Sequence, residues 1–133
     1  MKRTILVVDD EADAIGMITQ ILEDADCRVV AVNSGEDGIK RLAAGGVDLL
    51  ISDIFMPEME GLEFIQTVRE AYPALPIVAI SGGGARHNLH YLKFAGSFGA
   101  LASLTKPFRR EELMAIVDEI LPPEAERPPA TAP

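Results

Sequence analysis

The chain has 133 residues, the size of one ordinary domain, and at 48% hydrophobic and 25% charged it has the composition of a globular protein rather than a disordered or fibrous one. Its net charge of −9, with basic residues scattered along the chain, argues against direct binding to nucleic acid, which needs clustered Lys and Arg. The single cysteine, Cys27, excludes an internal disulfide and reads as a buried thiol beside a strand. The apolar run Ile5–Val8 is too short for a signal-peptide core or a membrane span, so a cytoplasmic protein is expected.

Strand-like apolar runs alternate with helix-period segments as far as Leu121, the pattern of a parallel sheet with crossover helices. Strand one, Thr4 to Val8, leads into a helix from about Glu11 to Ala25, with Ile15, Ile18, Leu22 and Ala25 on one face. Strand two is Arg28 to Val32. Ser34 is placed to cap a second helix that turns Ile39, Leu42 and Ala43 inward and stops at Gly45-Gly46. Strand three, Asp48 to Ser52, ends at Asp53. A loop from Phe55 to Gly61 precedes a helix carrying Ile65, Val68 and Tyr72, which Pro73 and Pro76 close. Strand four, Ile77 to Ile80, ends at Ser81 and three glycines, and a helix follows from about Arg86 to Phe98. Strand five, about Ala100 to Leu104, runs into Thr105-Lys106-Pro107. The last helix buries Leu113, Ile116, Val117 and Ile120, with Glu111 and Glu112 in a first turn whose dipole favours carboxylates. Residues 1–121 are thus expected to form the domain. Residues 122–133, proline-rich and without apolar pattern, are expected to form a flexible tail.

Parallel strands would bring Asp9, Asp10, Asp53, Ser81 and Lys106 to one sheet edge, where α/β folds place their chemistry. Three carboxylates at such range raise one another's pKa unless positive charge shares the site. Lys106 supplies one charge. The rest suits Mg²⁺, which takes all-oxygen ligands, whereas zinc would want His or Cys. A phosphoryl group entering here would meet the metal, the Lys106 ammonium, the Ser81 hydroxyl and the backbone N–H groups of the Gly82 turn. Asp53, alone at a strand end between Ser52 and apolar Ile54-Phe55, is the candidate nucleophile, and Asp10 the candidate metal ligand.

The segments Val8-Asp9-Asp10-Glu11, Ser52-Asp53 through Gly61, Ser81-Gly82 and Lys106-Pro107-Phe108 resemble the receiver domain of bacterial two-component response regulators over residues 3–121. The resemblance implies a flavodoxin-like, doubly wound α/β fold with five helices and a five-stranded parallel sheet in the order 2-1-3-4-5. It implies a phosphoaspartate at Asp53, with Ser81 and Lys106 contacting the phosphoryl group, and a cis Lys106-Pro107 bond. It further implies Mg²⁺ on Asp10, Asp53 and the backbone carbonyl of Phe55, with Asp9 assisting through water. The implied partners are a sensor histidine kinase or a histidine phosphotransfer protein and a downstream protein target. No membrane association is implied, and the protein would be a monomer or weak dimer.

Two departures stand out: Ser103 replaces the Tyr or Phe that many receivers carry three residues before the lysine, and the stretch from Ser81 to Lys106 is a few residues longer than in familiar single-domain members. The loop after Ser81 is expected to order with phosphate, and Phe55 to slow water attack on the acyl phosphate. With no output domain expected, the chain reads as a stand-alone phosphoacceptor that catalyses only its own phosphorylation and dephosphorylation. The alternative is a Mg²⁺-dependent aspartyl-phosphate phosphohydrolase, although Asp53-Ile54-Phe55 lacks the second Asp of the haloacid dehalogenase motif. A flavodoxin-type binder is disfavoured because Asp9-Asp10-Glu11 would repel FMN. His87 and His90, three apart, read as an exposed helix face, and Phe94, Phe98 and Phe108 as either core or docking surface.

Overall fold

The computed structural model describes residues 2–54, 61–81 and 100–122. Within them the elements run β1 (Thr4–Val8), α1 (Ala12–Asp24), β2 (Arg28–Val32), α2 (Gly35–Ala43), β3 (Leu49–Asp53), α3 (Gly61–Ala71), β4 (Ile77–Ser81), β5 (Ala102–Thr105) and α4 (Arg110–Ile120). The strands form one sheet in the order β2-β1-β3-β4-β5, every pair parallel, as expected. The four helices just given fit the α/β expectation, and the further helix expected at 86–98 lies outside the described residues.

β1, β3 and β4 are buried at every position, because helices cover both faces of the central strands and leave no polar side to alternate with. Period-two geometry divides their side chains between two cores. On one face Ile5, Val7, Leu49, Ile51, Val78, Ile80 and Leu104 meet Ile18, Ile21 and Leu22 of α1 and Leu113 and Val117 of α4. On the other, Leu6, Val8, Leu50, Ile77 and Ala79 meet Leu42 of α2 and Phe64, Ile65 and Val68 of α3. Phe108 is buried in the first core, and Cys27 is buried there too, where desolvation pushes its thiol pKa up.

Local chemistry sets the boundaries. Ser34 Oγ accepts the Asp37 N–H at 3.2 Å to start α2, and Gly45 and Gly46, both at φ +81°, carry the chain away from it. β3 starts at Leu49, one residue later than the sequence suggests; Asp48 meets Thr4 through both backbone and side chain, its N–H donating to the Thr4 carbonyl at 2.8 Å and its carboxylate accepting the Thr4 N–H at 2.8 Å. β5 likewise starts at Ala102 rather than Ala100. Ala43, expected inward, is exposed at the C-terminal end of α2, and Ile15 is half-buried, whereas Ile21 and Phe64, not anticipated as core, are buried. Phe64 occupies space that Gly38 leaves open: a Cβ at Gly38 would stand 3.0 Å from the Phe64 ring and 3.1 Å from Val8.

Candidate functional site at the carboxyl edge of the sheet

The strand order reverses between β1 and β3, so the crevice beyond their carboxyl ends is where this fold opens a site. Register does the rest. Val8 lies opposite Ser52, which sets Asp9 beside Asp53, and Ser81 lies opposite Thr105, which sets Lys106 just past the end of β4. The backbone ladder continues there, with the Lys106 N–H donating to the Ser81 carbonyl at 2.7 Å and the Asp9 N–H to the Val32 carbonyl at 3.2 Å. Residues far apart in sequence are thereby held by main-chain geometry.

The side chains converge accordingly. Lys106 Nζ donates to Asp9 Oδ2 at 2.8 Å, to Asp53 Oδ2 at 3.1 Å and to Glu11 Oε1 at 3.2 Å. Asp9 is 1% and Asp53 3% exposed, so this ammonium neutralises two carboxylates that water scarcely reaches. Burial opposes the Lys106 charge, but its hydrogen bonds to Asp9 and Asp53 and their negative charge outweigh that penalty and raise its pKa above the ordinary lysine value. The lysine is a fixed cation at neutral pH. Asp9 is itself oriented, its Oδ1 accepting the Glu11 N–H at 2.9 Å.

Asp9, Asp10, Glu11 and Asp53 place carboxylate oxygens within 4.8 Å of one another. This donor set is all oxygen, which suits a hard cation such as Mg²⁺ and not zinc. Ser81 is fully buried at the end of β4, and the Lys106-Pro107 bond is cis. The structure therefore brings together Asp9, Asp10, Asp53, Ser81 and Lys106. Phe55 and the Gly82 turn lie outside the described residues, as do His87, His90, Phe94 and Phe98. Glu11 is a site group that sequence reasoning passed over; its place directly after the Asp9-Asp10 pair was the available signal. Ser103 is exposed on the edge strand β5.

A doubly wound sheet with carboxylates and a lysine at its switch point is the architecture of phosphoacceptor signalling domains, and the comparisons agree. The sequence model of the response regulator receiver domain matches residues 5–118, and the chain belongs to that family. Among relatives, it is 31% identical to the nitrogen assimilation regulatory protein NtrX of Azorhizobium caulinodans, over 91% of this chain and 26% of that protein. It is 30% identical to the alkaline phosphatase synthesis transcriptional regulatory protein PhoP of Bacillus subtilis, over 91% of this chain and 49% of that one. The chain thus spans about a quarter to a half of these curated relatives' length. Among solved structures, the chemotaxis response regulator CheY4 of Vibrio cholerae superposes with a TM-score of 0.81 at 28% identity, covering 91% of this chain and all of that one. A putative response regulator from Chloroflexus aurantiacus gives 0.85 at 28% identity, covering 91% and 98%. No helix among the described residues is long and apolar enough to cross a membrane.

Proposed function

We propose that Asp53 is the phosphoacceptor of a two-component signalling pathway, receiving its phosphoryl group from the phosphohistidine of a sensor kinase or a histidine phosphotransfer protein. The observation that carries this reading is the Lys106 ammonium, held 3.1 Å from Asp53 Oδ2 and 2.8 Å from Asp9 Oδ2 at the sheet's switch point. An Asp53 carboxylate oxygen attacks phosphorus, the P–N bond to imidazole breaks with its electron pair staying on nitrogen, and an acyl phosphate forms. Lys106 then donates to a phosphoryl oxygen, as does the Ser81 hydroxyl.

Asp10 and Asp53, with Asp9 and the Phe55 carbonyl, would hold Mg²⁺, a role supported by the four-carboxylate cluster. Bound there, the ion supplies charge that offsets repulsion between the carboxylates and incoming phosphoryl oxygens. The downstream reader is a protein that distinguishes the phosphorylated surface, in the cytoplasm, with the receiver a monomer or weak dimer.

Intact-mass analysis after incubation with Mg²⁺ and acetyl phosphate tests the proposal. The wild type gains one phosphoryl mass and Asp53→Asn gains none. Equal gain in both, or no gain in the wild type with either acetyl phosphate or a phosphorylated histidine donor, overturns it. Steady turnover of a small phosphoester would instead indicate a phosphohydrolase.

A further inference from the structure

At the amino edge of the sheet, opposite the carboxylates, an open groove of about 500 Å³ lies between the end of α3 and the start of β3, lined by Val47, Asp48, Tyr72, Pro73, Leu75 and Pro76. Val47, Tyr72 and Leu75 are half-buried and pack on the second core, so the groove is apolar surface that this core leaves uncovered. Its shape is fixed. Arg69 clamps the turn after α3 by donating to the Tyr72 and Pro73 carbonyls at 3.2 and 2.8 Å, and the Leu75 N–H donates to the Tyr72 carbonyl at 3.1 Å.

The walls select the kind of occupant. Pro73 and Pro76 have no N–H, the Leu75 and Asp48 N–H groups are engaged, and so are the Tyr72, Pro73 and Pro76 carbonyls. An added strand would find no ladder of main-chain groups here. A polyproline segment needs none, because it holds its shape without internal hydrogen bonds and docks its rings in aromatic-lined grooves. Tyr72 offers the ring, and Asp48 is the charged side chain of the lining.

The chain itself carries such a segment, since residues 122–133 read PPEAERPPATAP. α4 delivers it to the same edge. The Leu121 carbonyl accepts from Arg3 at 3.0 Å, and the next residue, Thr4, meets Asp48 of the groove through two hydrogen bonds of 2.8 Å. Two strand spacings and a layer of side chains, roughly 15–20 Å, separate Leu121 from Tyr72. The eight residues from Pro122 to Pro129 span about 25 Å at ~3.1 Å per residue in the polyproline form.

We propose that Arg127-Pro128-Pro129 dock in this groove, the two proline rings against Tyr72 and Leu75 and the guanidinium beside Asp48. A short tether supplies an effective concentration in the millimolar range, so a contact too weak to hold a free peptide is populated within the chain. The groove lies at the opposite edge of the sheet from Asp53, and the inference stands apart from the phosphoacceptor reading.

NMR on the full chain tests it. Nuclear Overhauser cross-peaks are expected between the Tyr72 ring and the δ protons of Pro128 and Pro129. The double variant Pro128→Gly/Pro129→Gly is expected to lose contact with that ring and to shift the Val47, Tyr72 and Leu75 amide signals, leaving those of β1 in place. Arg127→Glu is expected to shift the same three amides by a smaller amount. Neither variant alters a residue of the packed cores, so failure to fold does not enter.

Absent cross-peaks in the wild type, or groove amides that the double variant leaves unmoved, overturn the proposal. Cross-peaks found only between differently labelled copies assign the groove to a second chain's segment and overturn it as well. A synthetic peptide of residues 124–133 is expected to shift the groove amides of the double variant more readily than those of the wild type. Equal response in both shows a groove open in the wild type and has the same force.

Discussion

Two buried carboxylates, Asp9 and Asp53, share one cation. Removing that cation leaves both charges in a poorly hydrated pocket, which is costlier than never having formed the pair. Lys106→Met is therefore expected to destabilise the protein by about 3 kcal/mol in urea unfolding without divalent metal, with much of the loss recovered when Mg²⁺ is added. The sign of the pH dependence follows from the raised Lys106 pKa. Its stabilisation is fully present below the ordinary lysine value and is lost only as pH rises through the raised one, so lysine titration leaves stability flat across the neutral range. A drop in stability at neutral pH traced to Lys106 would contradict the arrangement. The identities of Asp9, Asp10, Asp53, Ser81 and Lys106 were legible in the sequence because each ends an apolar run. Glu11 was less so: it stands beside the Asp9-Asp10 pair but caps the next helix rather than ending the apolar run, and its contact with Lys106 emerges only in the fold.

At the level of elements, the contact between α2 and α3 turns on the absence of a side chain. Gly38 lies in the interior of α2, where alanine would ordinarily favour the helix by about 1 kcal/mol. Here a Cβ would press on Phe64, a fully buried ring with little room to move, and on Val8. Overpacking of this kind costs about 1–3 kcal/mol, so Gly38→Ala is expected to destabilise by about 1 kcal/mol net, measured as a lower urea midpoint. A stabilised variant would show that the ring yields. Periodicity indicated the α2 and α3 faces through Leu42, Ile65 and Val68, but it could not assign Phe64 beside Ile65, since two adjacent positions on a helix both border the buried stripe. Nor could it show Ala43 exposed, because which flank of a stripe faces water depends on where the helix rests on the sheet.

Across the whole molecule, Arg3 joins the beginning of the described chain to its end. Its guanidinium, 5% exposed, donates to Asp118 and to the Leu121 carbonyl at 3.0 Å, and also to the Ala25 carbonyl at 3.3 Å. The start of β1, the end of α1 and the end of α4 are thereby tied at the amino edge of the sheet, opposite the site. Arg3→Met keeps the buried stem but leaves two carbonyls and Asp118 without this donor. A loss of about 2 kcal/mol in urea unfolding is expected, with amide exchange accelerating first in α4. Unchanged α4 exchange would show that α4 is held by its apolar face alone. In sequence Arg3 reads as an ordinary basic residue beside Met1 and Lys2, and nothing local marks it as buried. The sequence by itself determined the alternation of strands and helices and the chemical groups at the strand ends, because apolar runs and their punctuation are local. Tertiary structure decided the residue-by-residue register of the strands, the three-way pairing of Lys106 and the burial of Arg3 and Phe64. Those depend on which distant segments the sheet sets side by side, and no local pattern carries that.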